Sequence, residues 1–290
     1  MNKKIFELIK KGLEKNIDIF KLLKASSKNP VNHYNLDIGL IREKDPADFL
    51  IVKNLEKFNV QETYINGEKT DKKEYKSKYK EKKINNFKAQ PVKPEQIKVK
   101  SKQENGKINV IGAKDGELYT KHLKLKPKTE NGEIIPDTER DILKIVVKNR
   151  YGTEDIGIGF IKNFGLKNCA IASSVSHDSH NIVSVGTSDK KISRAMNKII
   201  KNKGGISVTK NNKTSILKLP IAGLIAKKNH KEVSKSYKSL INEVKKSGSK
   251  LESPFMTLSF MSLPVIPELK ISDKGLFNFE NQSFLDLWEN

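Results

Sequence analysis

The spacing of apolar residues changes several times along this chain, and each change predicts a different element. Near the start, apolar side chains recur at helical spacing at Ile5, Leu8, Ile9 and Leu13. Asp18 can cap a second helix, which carries Ile19, Leu22 and Leu23 and ends before Asn29-Pro30. Two short helices without a partner strand cannot bury both apolar stripes. We therefore expect residues 1–25 to dock loosely or to expose apolar surface.

A small β unit follows the helices. A turn is predicted at Asp45-Pro46, a buried strand at 49–52, and an alternating strand from Val60 to Ile65 that ends at the turn Asn66-Gly67. The next stretch, 71–88, is almost entirely charged or polar. It is typical of an exposed, lysine-rich connector.

From residue 89 the pattern becomes α/β. Strands are predicted at 142–147, 156–160, 170–175, 182–185, 206–208 and 215–219. Ser188 or Asp189 caps a helix whose apolar face consists of Ile192, Ala195, Met196, Ile199 and Ile200, and Gly204-Gly205 ends it. A second amphipathic helix covers 233–244 and stops at Gly248. The sequence thus predicts a mixed α/β protein.

Composition narrows the class of protein. The chain has no apolar run of the ~18 residues that a membrane span requires, and its N-terminus has the pattern of an amphipathic helix and not of a signal peptide. Cys169 is the single cysteine, which excludes an internal disulfide. These features predict a cytoplasmic protein without a membrane partner.

The net charge of +22 would suit nucleic-acid binding. However, the positive charge comes almost wholly from scattered lysines. Arginine, which reads base edges and clamps phosphates, occurs only at Arg42, Arg140, Arg150 and Arg194. The codon usage of an A+T-rich genome explains this lysine content better than binding to a specific nucleic-acid partner does.

The stretch 173-SSVSHDSHN-181 contains two of the five histidines of the chain, together with an aspartate, an asparagine and several serines. On a turn between two strands, His177, Asp178 and His180 can converge. Histidine and aspartate suit zinc, iron or manganese, but a complete site needs about three or four ligands. The same side chains can act as acid–base groups or orient a substrate. The residues alone favour slightly a polar turn, in which Asp178, Ser179 and Asn181 satisfy backbone groups.

Three other features are weaker candidates for a functional site. The glycines of 156-IGIGF-160 lack the spacing of a phosphate loop, and they predict instead that another backbone or a ligand approaches the strand closely. Cys169 at a strand start predicts a small buried side chain and not a nucleophile. Glu268 is an isolated carboxylate at the end of an apolar run, compatible with a cap, an ion pair or a site residue.

Five blocks of the chain can be compared with known families: 25–52, 58–68, 156–189, 219–226 and 254–277. In these blocks and in their order, the chain resembles the bacterial adenine deaminases of the amidohydrolase superfamily. The most specific are ASSVSHDSHN and PFMTLSF…LPVIPELK. The resemblance spans most of the chain.

The resemblance implies a three-part fold: a metal-bearing (β/α)₈ barrel, a small composite β domain and a C-terminal α/β domain. The chain is then divided into barrel-remnant helices (1–25), the small composite β domain (26–70), the basic linker (71–88) and the C-terminal domain (89–290). The implied reaction is hydrolytic deamination of adenine to hypoxanthine and ammonia in purine salvage. The resemblance also implies that the full-length enzyme uses manganese or iron and forms a homo-oligomer.

The chain departs from that family in ways that set further expectations. It begins at the last barrel helices and has no H-x-H pair, so the barrel's metal ligands cannot be assigned to it. Lys148-Asn149-Arg150 replaces a Glu-Arg-His-like triple, and Ser253 stands where an aspartate is common. A mis-called start codon is favoured, with a split gene, whose second chain would carry the barrel, and a decaying remnant as alternatives.

The resemblance implies roles for six residues as substrate contacts or as hydrogen-bond partners of the metal ligands. They are Ser174, His177, Asp178, His180, Asn181 and Glu268. No catalytic or metal-ligating residue is assigned within this chain, which we expect to be inactive and metal-free by itself. The alternative function is a non-catalytic module that binds purine or an anion.

Overall fold

The computed structural model describes residues 5–70, 84–102 and 106–289. It divides the chain into two units, Met1–Glu81 and Lys82–Asn290. The mixed α/β class predicted from the sequence is confirmed. Within the described residues, no helix is both long enough and apolar enough to cross a membrane.

The first unit opens with the two predicted helices, α1 (Ile5–Glu14) and α2 (Ile19–Leu23). The Asp18 carboxylate accepts a hydrogen bond from Lys21 N at 3.0 Å, which confirms the predicted cap. The helices approach closely at Gly12, where a Cβ atom would lie 2.5 Å from a methyl group of Leu22.

The prediction that the second helix ends before Asn29-Pro30 is wrong. A π-helical segment (Lys24–Lys28) follows α2 directly, and α3 (Asn29–Tyr34) continues with Pro30 in its first turn. Proline is tolerated there because its missing N–H is not needed in the first turn of a helix. The helical stretch ends only at Asn35, which adopts the left-handed conformation of a C-cap.

The sheet of the first unit is antiparallel, in the order β1-β2-β3. Its strands are β1 (Phe49–Val52), β2 (Val60–Ile65) and β3 (Glu68–Lys69). Among the described residues of this unit, only Ile9 and Phe58 are fully buried apolar side chains. Large apolar side chains exposed in it are Ile5, Leu8, Ile17, Phe20, Tyr34, Leu36, Ile38, Ile41, Leu50, Ile51, Leu55 and Ile65.

The second unit is built around an eight-stranded sheet in the order β14-β13-β11-β12-β9-β10-β5-β6. Its strands are β5 (Ile108–Gly112), β6 (Lys121–Leu125), β9 (Ile142–Lys148), β10 (Ile156–Lys162), β11 (Cys169–Ser173), β12 (Ile182–Gly186), β13 (Gly205–Lys210) and β14 (Lys213–Lys218). All neighbours are antiparallel except β5 and β10. Asn211 and Asn212 form the β13–β14 turn with positive φ angles.

The rest of the described part of the second unit consists of two three-stranded sheets, a short 3-10 helix (Pro94–Ile97) and three α-helices. The small sheets contain β4 (Val99–Lys100), β7 (Lys128–Glu130), β8 (Glu133–Ile135), β15 (Leu269–Ser272), β16 (Gly275–Asn278) and β17 (Ser283–Leu285). The helices are α4 (Asp189–Lys201), α5 (His230–Lys245) and α6 (Pro254–Phe260). Both long helices were predicted from their apolar periodicity.

The large sheet is covered on both faces. On one face, Leu143, Ile145 and Val147 of β9 belong to a cluster with apolar residues of α5, α6, β15 and β16. On the other face, Val146 belongs to a second cluster with residues of α4 and of the segment before β4. All seven residues of β9 are buried because layers lie on both sides of the strand.

The segment 84–88 belongs to the second unit, although the sequence predicted an exposed connector over 71–88. Phe87 is buried, and the Asn85 amide donates to the carbonyl oxygens of Lys203 and Pro220. Residues 71–83 of the predicted connector lie outside the described residues. The buried ring of Phe87 and the hydrogen bonds of the Asn85 amide thus fix the position of this end of the lysine-rich stretch.

The glycines of β10 allow a second sheet to lie against the strand. A Cβ atom on Gly157 would lie 1.9 Å from the carbonyl oxygen of Ser272, and one on Gly159 would lie 2.9 Å from a methyl group of Leu276. The prediction that another backbone or a ligand comes close to the strand is confirmed for a backbone at Gly157, whereas Gly159 meets side chains.

The last described residues lie along the start of β5. Asn109 N donates to Leu287 O at 2.8 Å, Glu289 N donates to Lys107 O at 3.0 Å, and the Asn109 amide donates to Asp286 O at 2.9 Å. Trp288 is buried in a cluster that includes Ile108. Residues 286–289 therefore form a closing clasp on the first strand of the large sheet.

Cys169 is buried, as the sequence predicted, and burial raises the pKa of its thiol to about 11. We expect the native protein to resist a thiol reagent such as DTNB at neutral pH, because the reactive thiolate is both scarce and inaccessible. In guanidinium chloride the same thiol should react fully. Prompt labelling of the folded protein would contradict the buried position.

Candidate functional site

The histidine-rich loop, residues 174–181, joins two central strands of the large sheet. Strands β11 and β12 are antiparallel neighbours, with Ser173 opposite Val183. The loop therefore leaves and re-enters the sheet at the same end of these strands. The predicted position of the motif, between two strands, is confirmed. Both strands are fully buried, which gives the loop rigid ends.

Ser174 fixes the base of the histidine-rich loop. Its side chain is fully buried; the hydroxyl donates to Gly223 O at 2.6 Å and accepts from Gly205 N at 2.9 Å. These backbone partners occupy the hydroxyl group. In this structure Ser174 therefore orders the loop and does not face an open site.

His177 lies against the end of α6. Its backbone N–H donates to Ser259 O at 3.0 Å, and its ring stacks on Phe260 with centroids 5.3 Å apart and an interplanar angle of 17°. The hydroxyl oxygens of Ser176 and Ser262 are 2.6 Å apart. Three contacts thus join the loop to the end of α6, while the His177 ring remains half-buried.

His180 is the second imidazole of the loop, with a ring centroid 6.3 Å from that of His177. Its φ of 54° folds the loop back, and its N–H donates to Ser176 O at 2.7 Å. Its Nδ1 is buried without a hydrogen-bond partner. Burial, followed by the positive charge of Arg150 and the nearby His177, lowers the pKa of His180. The ring is therefore neutral at neutral pH, with one donor and one acceptor nitrogen.

Asp178 is exposed between the two histidines, and Asn181 is buried at the end of the loop. The Asn181 side-chain oxygen accepts from Arg150 N at 3.3 Å. The loop thus presents the Asp178 carboxylate and the imidazoles of His177 and His180. Its Asn181 is instead hydrogen-bonded to Arg150, just after the end of β9. Stacking and hydrogen bonding by these groups suit a flat, polar ligand.

Arg150 and Tyr151 are site residues that the sequence reasoning missed. The buried Arg150 guanidinium donates to Ala222 O at 2.8 Å and to the Tyr151 hydroxyl at 3.2 Å. The Tyr151 hydroxyl donates in turn to Ser179 O at 2.7 Å. The guanidinium also lies over the rings of Phe87 and Tyr151. The sequence signals for Arg150 were its position just after a buried strand and its place in the Lys148-Asn149-Arg150 segment that departs from the family.

Glu268 does not join the histidine-rich loop. Its carboxylate accepts from His122 N at 2.7 Å, and the His122 ring nitrogen Nε2 is 2.8 Å from the Asn109 side-chain oxygen. Glu268 N donates to the Thr120 hydroxyl. The carboxylate is held at the start of β6 because β15, which begins at the next residue, lies beside that segment.

A metal centre does not fit the residues present. In the part of the chain that the structure describes, no group of three or more His, Cys, Asp or Glu side chains is placed to hold a metal ion. His177, Asp178 and His180 are therefore not grouped around one position, as the three or four ligands of such a site would be. We therefore assign no metal-dependent step to these residues.

The fold and the loop define a mixed α/β protein with a polar, histidine-bearing site at the ends of two central strands. A family model described as "Amidohydrolase family" matches residues 1–70, and one described as "Adenine deaminase C-terminal domain" matches residues 117–283. The chain belongs to the adenine deaminase family, and the resemblance found in its sequence is confirmed. Members of the amidohydrolase family typically use a divalent metal.

Curated relatives named adenine deaminase match nearly the whole chain. The relative from Methanosarcina mazei is 47% identical over 98% of this chain and 53% of its own length. The relative from Parabacteroides distasonis is 42% identical over 98% and 52%, and that from Borreliella burgdorferi 40% over 99% and 53%. The chain thus spans about half the length of the curated relatives it matches.

Proposed function

We propose that this chain forms the C-terminal half of an adenine deaminase and that its histidine-rich loop lines the substrate site. The reaction is hydrolytic deamination of adenine to hypoxanthine and ammonia, within cytoplasmic purine salvage. The observation that carries the proposal is the anchored loop itself. Rigid strands and the end of α6 hold two imidazoles beside an aromatic ring.

The side chains of the loop would act by binding and orientation. A purine ring offers acceptor nitrogens and an exocyclic amine, which match the neutral His180 imidazole and the Asp178 carboxylate. The His177–Phe260 pair supplies an aromatic surface and a ring nitrogen. Manganese or iron would be held by the remainder of the amidohydrolase domain.

The exposed apolar surface of the first unit supports a role for that remainder. Twelve large apolar side chains of this unit are exposed, and only two are fully buried among its described residues. Patches of this kind mark interaction surfaces. We infer that a metal-bearing (β/α)₈ barrel covers them, in the same polypeptide or in a separate chain, and that α1–α3 are the last helices of the barrel. A homo-oligomer is part of the same proposal.

A chimera tests the proposed activity. The part of the Methanosarcina mazei relative that this chain does not cover is fused ahead of Met1 and supplied with manganese or ferrous iron. We expect the chimera to convert adenine to hypoxanthine and ammonia in equal amounts, because it contains both halves of the site.

The controls are the isolated chain, the isolated part of the relative and the full-length relative. Turnover by the isolated chain would contradict the placement of the metal centre outside it. A folded, metal-loaded chimera without turnover would contradict the proposed activity. Adenine binding by the isolated chain would then favour the non-catalytic purine-binding alternative.

A further inference from the structure

Lys270 is a buried cation whose hydrogen bonds, within the described residues, go to backbone carbonyls. It lies on β15 and is fully buried, and no carboxylate of the described residues lies within ion-pair distance of its Nζ. Burial lowers the pKa of Lys270 to about 8. A buried methionine of similar volume would avoid this penalty, because replacing buried charges by apolar residues is often neutral or stabilising. Overall stability therefore does not account for a lysine at this position.

The ammonium group of Lys270 is held by two backbone carbonyls. Its Nζ donates to Leu118 O at 2.5 Å and to Phe260 O at 3.2 Å. Phe260 is the last residue of α6, where carbonyl oxygens lack partners within the helix and carry partial negative charge. Lys270 thus neutralises the end of this short helix and ties it to the segment before β6.

The same end of α6 holds the histidine-rich loop. Ser259 supplies the carbonyl for His177 N, Phe260 supplies the ring on which the His177 imidazole stacks, and Ser262 meets Ser176. Lys270 therefore reaches the His177 imidazole through one residue, Phe260. A shift at the Phe260 carbonyl would move the ring that supports the imidazole.

We propose that Lys270 is a positioning residue for His177, acting through the carbonyl and ring of Phe260. The inference rests on the proposed function for its consequence in catalysis, but the positioning itself can be measured in the isolated chain. Lys270 touches neither the loop side chains nor the site directly. Its role is to fix the end of α6.

Histidine NMR tests the positioning directly, since the chain has only five histidines. In the wild type, the Phe260 ring should displace the His177 Cε1–Hε1 signal from the position of an exposed histidine such as His230. In Lys270→Met, we expect the His177 signal to move toward the His230 position. In Lys270→Gln, whose shorter amide reaches at most one of the two carbonyls, it should move part of the way.

The matched control is Lys274→Met, which removes an exposed lysine from the same β-hairpin and should leave the signal unchanged. The signals of His33 and His230 serve as internal references. An unchanged His177 signal in the folded Met and Gln variants would overturn the proposal. The Gln variant retains a donor and so covers the case in which the Met variant does not fold.

A double-mutant cycle in the chimera separates positioning from general destabilisation. Lys270→Met should lower kcat in the wild-type background and have no further effect in the His177→Ala background, because residues acting through one group are not additive. Equal losses in both backgrounds would overturn the proposal. An inactive parent chimera would count against the proposed function alone, since the NMR result stands independently of it.

Discussion

His177→Ala in the chimera is expected to lower kcat by about 100-fold, the lower end of what a positioned proton-transfer or orienting group contributes. The reason is that the His177 ring is anchored on Phe260, with its centroid 6.3 Å from that of the His180 ring. Loss of the stacking contact should destabilise the fold by only about 1 kcal/mol, because the ring is half-buried. Steady-state kinetics and thermal unfolding measure both quantities.

Two variants sharpen the test of His177. His177→Phe keeps an aromatic ring on Phe260 without ring nitrogens, so it should lose turnover as the alanine variant does while it retains stability. His230→Ala removes an exposed histidine at the start of α5 and should leave kcat unchanged. Wild-type turnover in the His177 variants would make the loop a structural turn.

Asp189→Asn is expected to destabilise the second unit by about 3–5 kcal/mol, because it leaves a buried charge unpaired. Lys144 is 1% exposed, and its Nζ donates to Asp189 at 2.5 Å and to Ile97 O at 2.9 Å. Urea unfolding followed by circular dichroism measures the loss. The control is Glu117→Gln, which removes an exposed ion pair with Lys114 and should cost less than about 1 kcal/mol.

The Asp189 variant should also respond to pH in a defined direction. Burial lowers the pKa of Lys144 below its ordinary value, and the bond to Asp189 opposes that shift. Without Asp189 the folded-state pKa falls further, while the unfolded-state pKa stays near the ordinary value. Between the two pKa values the unfolded chain binds more protons, so the stability of the variant rises with pH. Lys144→Met in the Asp189→Asn background should recover most of the lost stability. A small loss without pH dependence would contradict a buried ion pair.

The central elements could be predicted from the sequence because their periodicities are strong. Strands β9 to β12, helices α4 and α5 and the loop between β11 and β12 all follow from apolar spacing and turn residues. The family followed from specific blocks, and the comparisons confirm it. The strands between 99 and 135 were not predicted; β4, β7 and β8 have only two or three residues each and therefore carry too little pattern.

The buried polar residues could not be predicted, for a physical reason. In β9, Lys144 and Lys148 are four residues apart and lie on the same face of the strand, which from sequence alone favours a solvated face. Both lysines are instead buried and reach carboxylates of Asp189 and Glu154. In a lysine-rich chain, no local signal separates such residues from exposed ones. Arg150 and Lys270 were missed for the same reason, because their partners are distant backbone carbonyls.

The closing clasp has a consequence for the order of events during biosynthesis. Asn109 of β5 is bonded to Asp286, which lies 177 residues further along the chain. At a synthesis rate of about 5–20 residues per second, the nascent strand waits roughly ten seconds or more for that partner. Until residues 286–289 leave the ribosome, the start of β5 and the pocket for Trp288 stay uncovered. A nascent chain that stops before residue 286 therefore leaves the backbone groups at the start of β5 without these partners and available to chaperones.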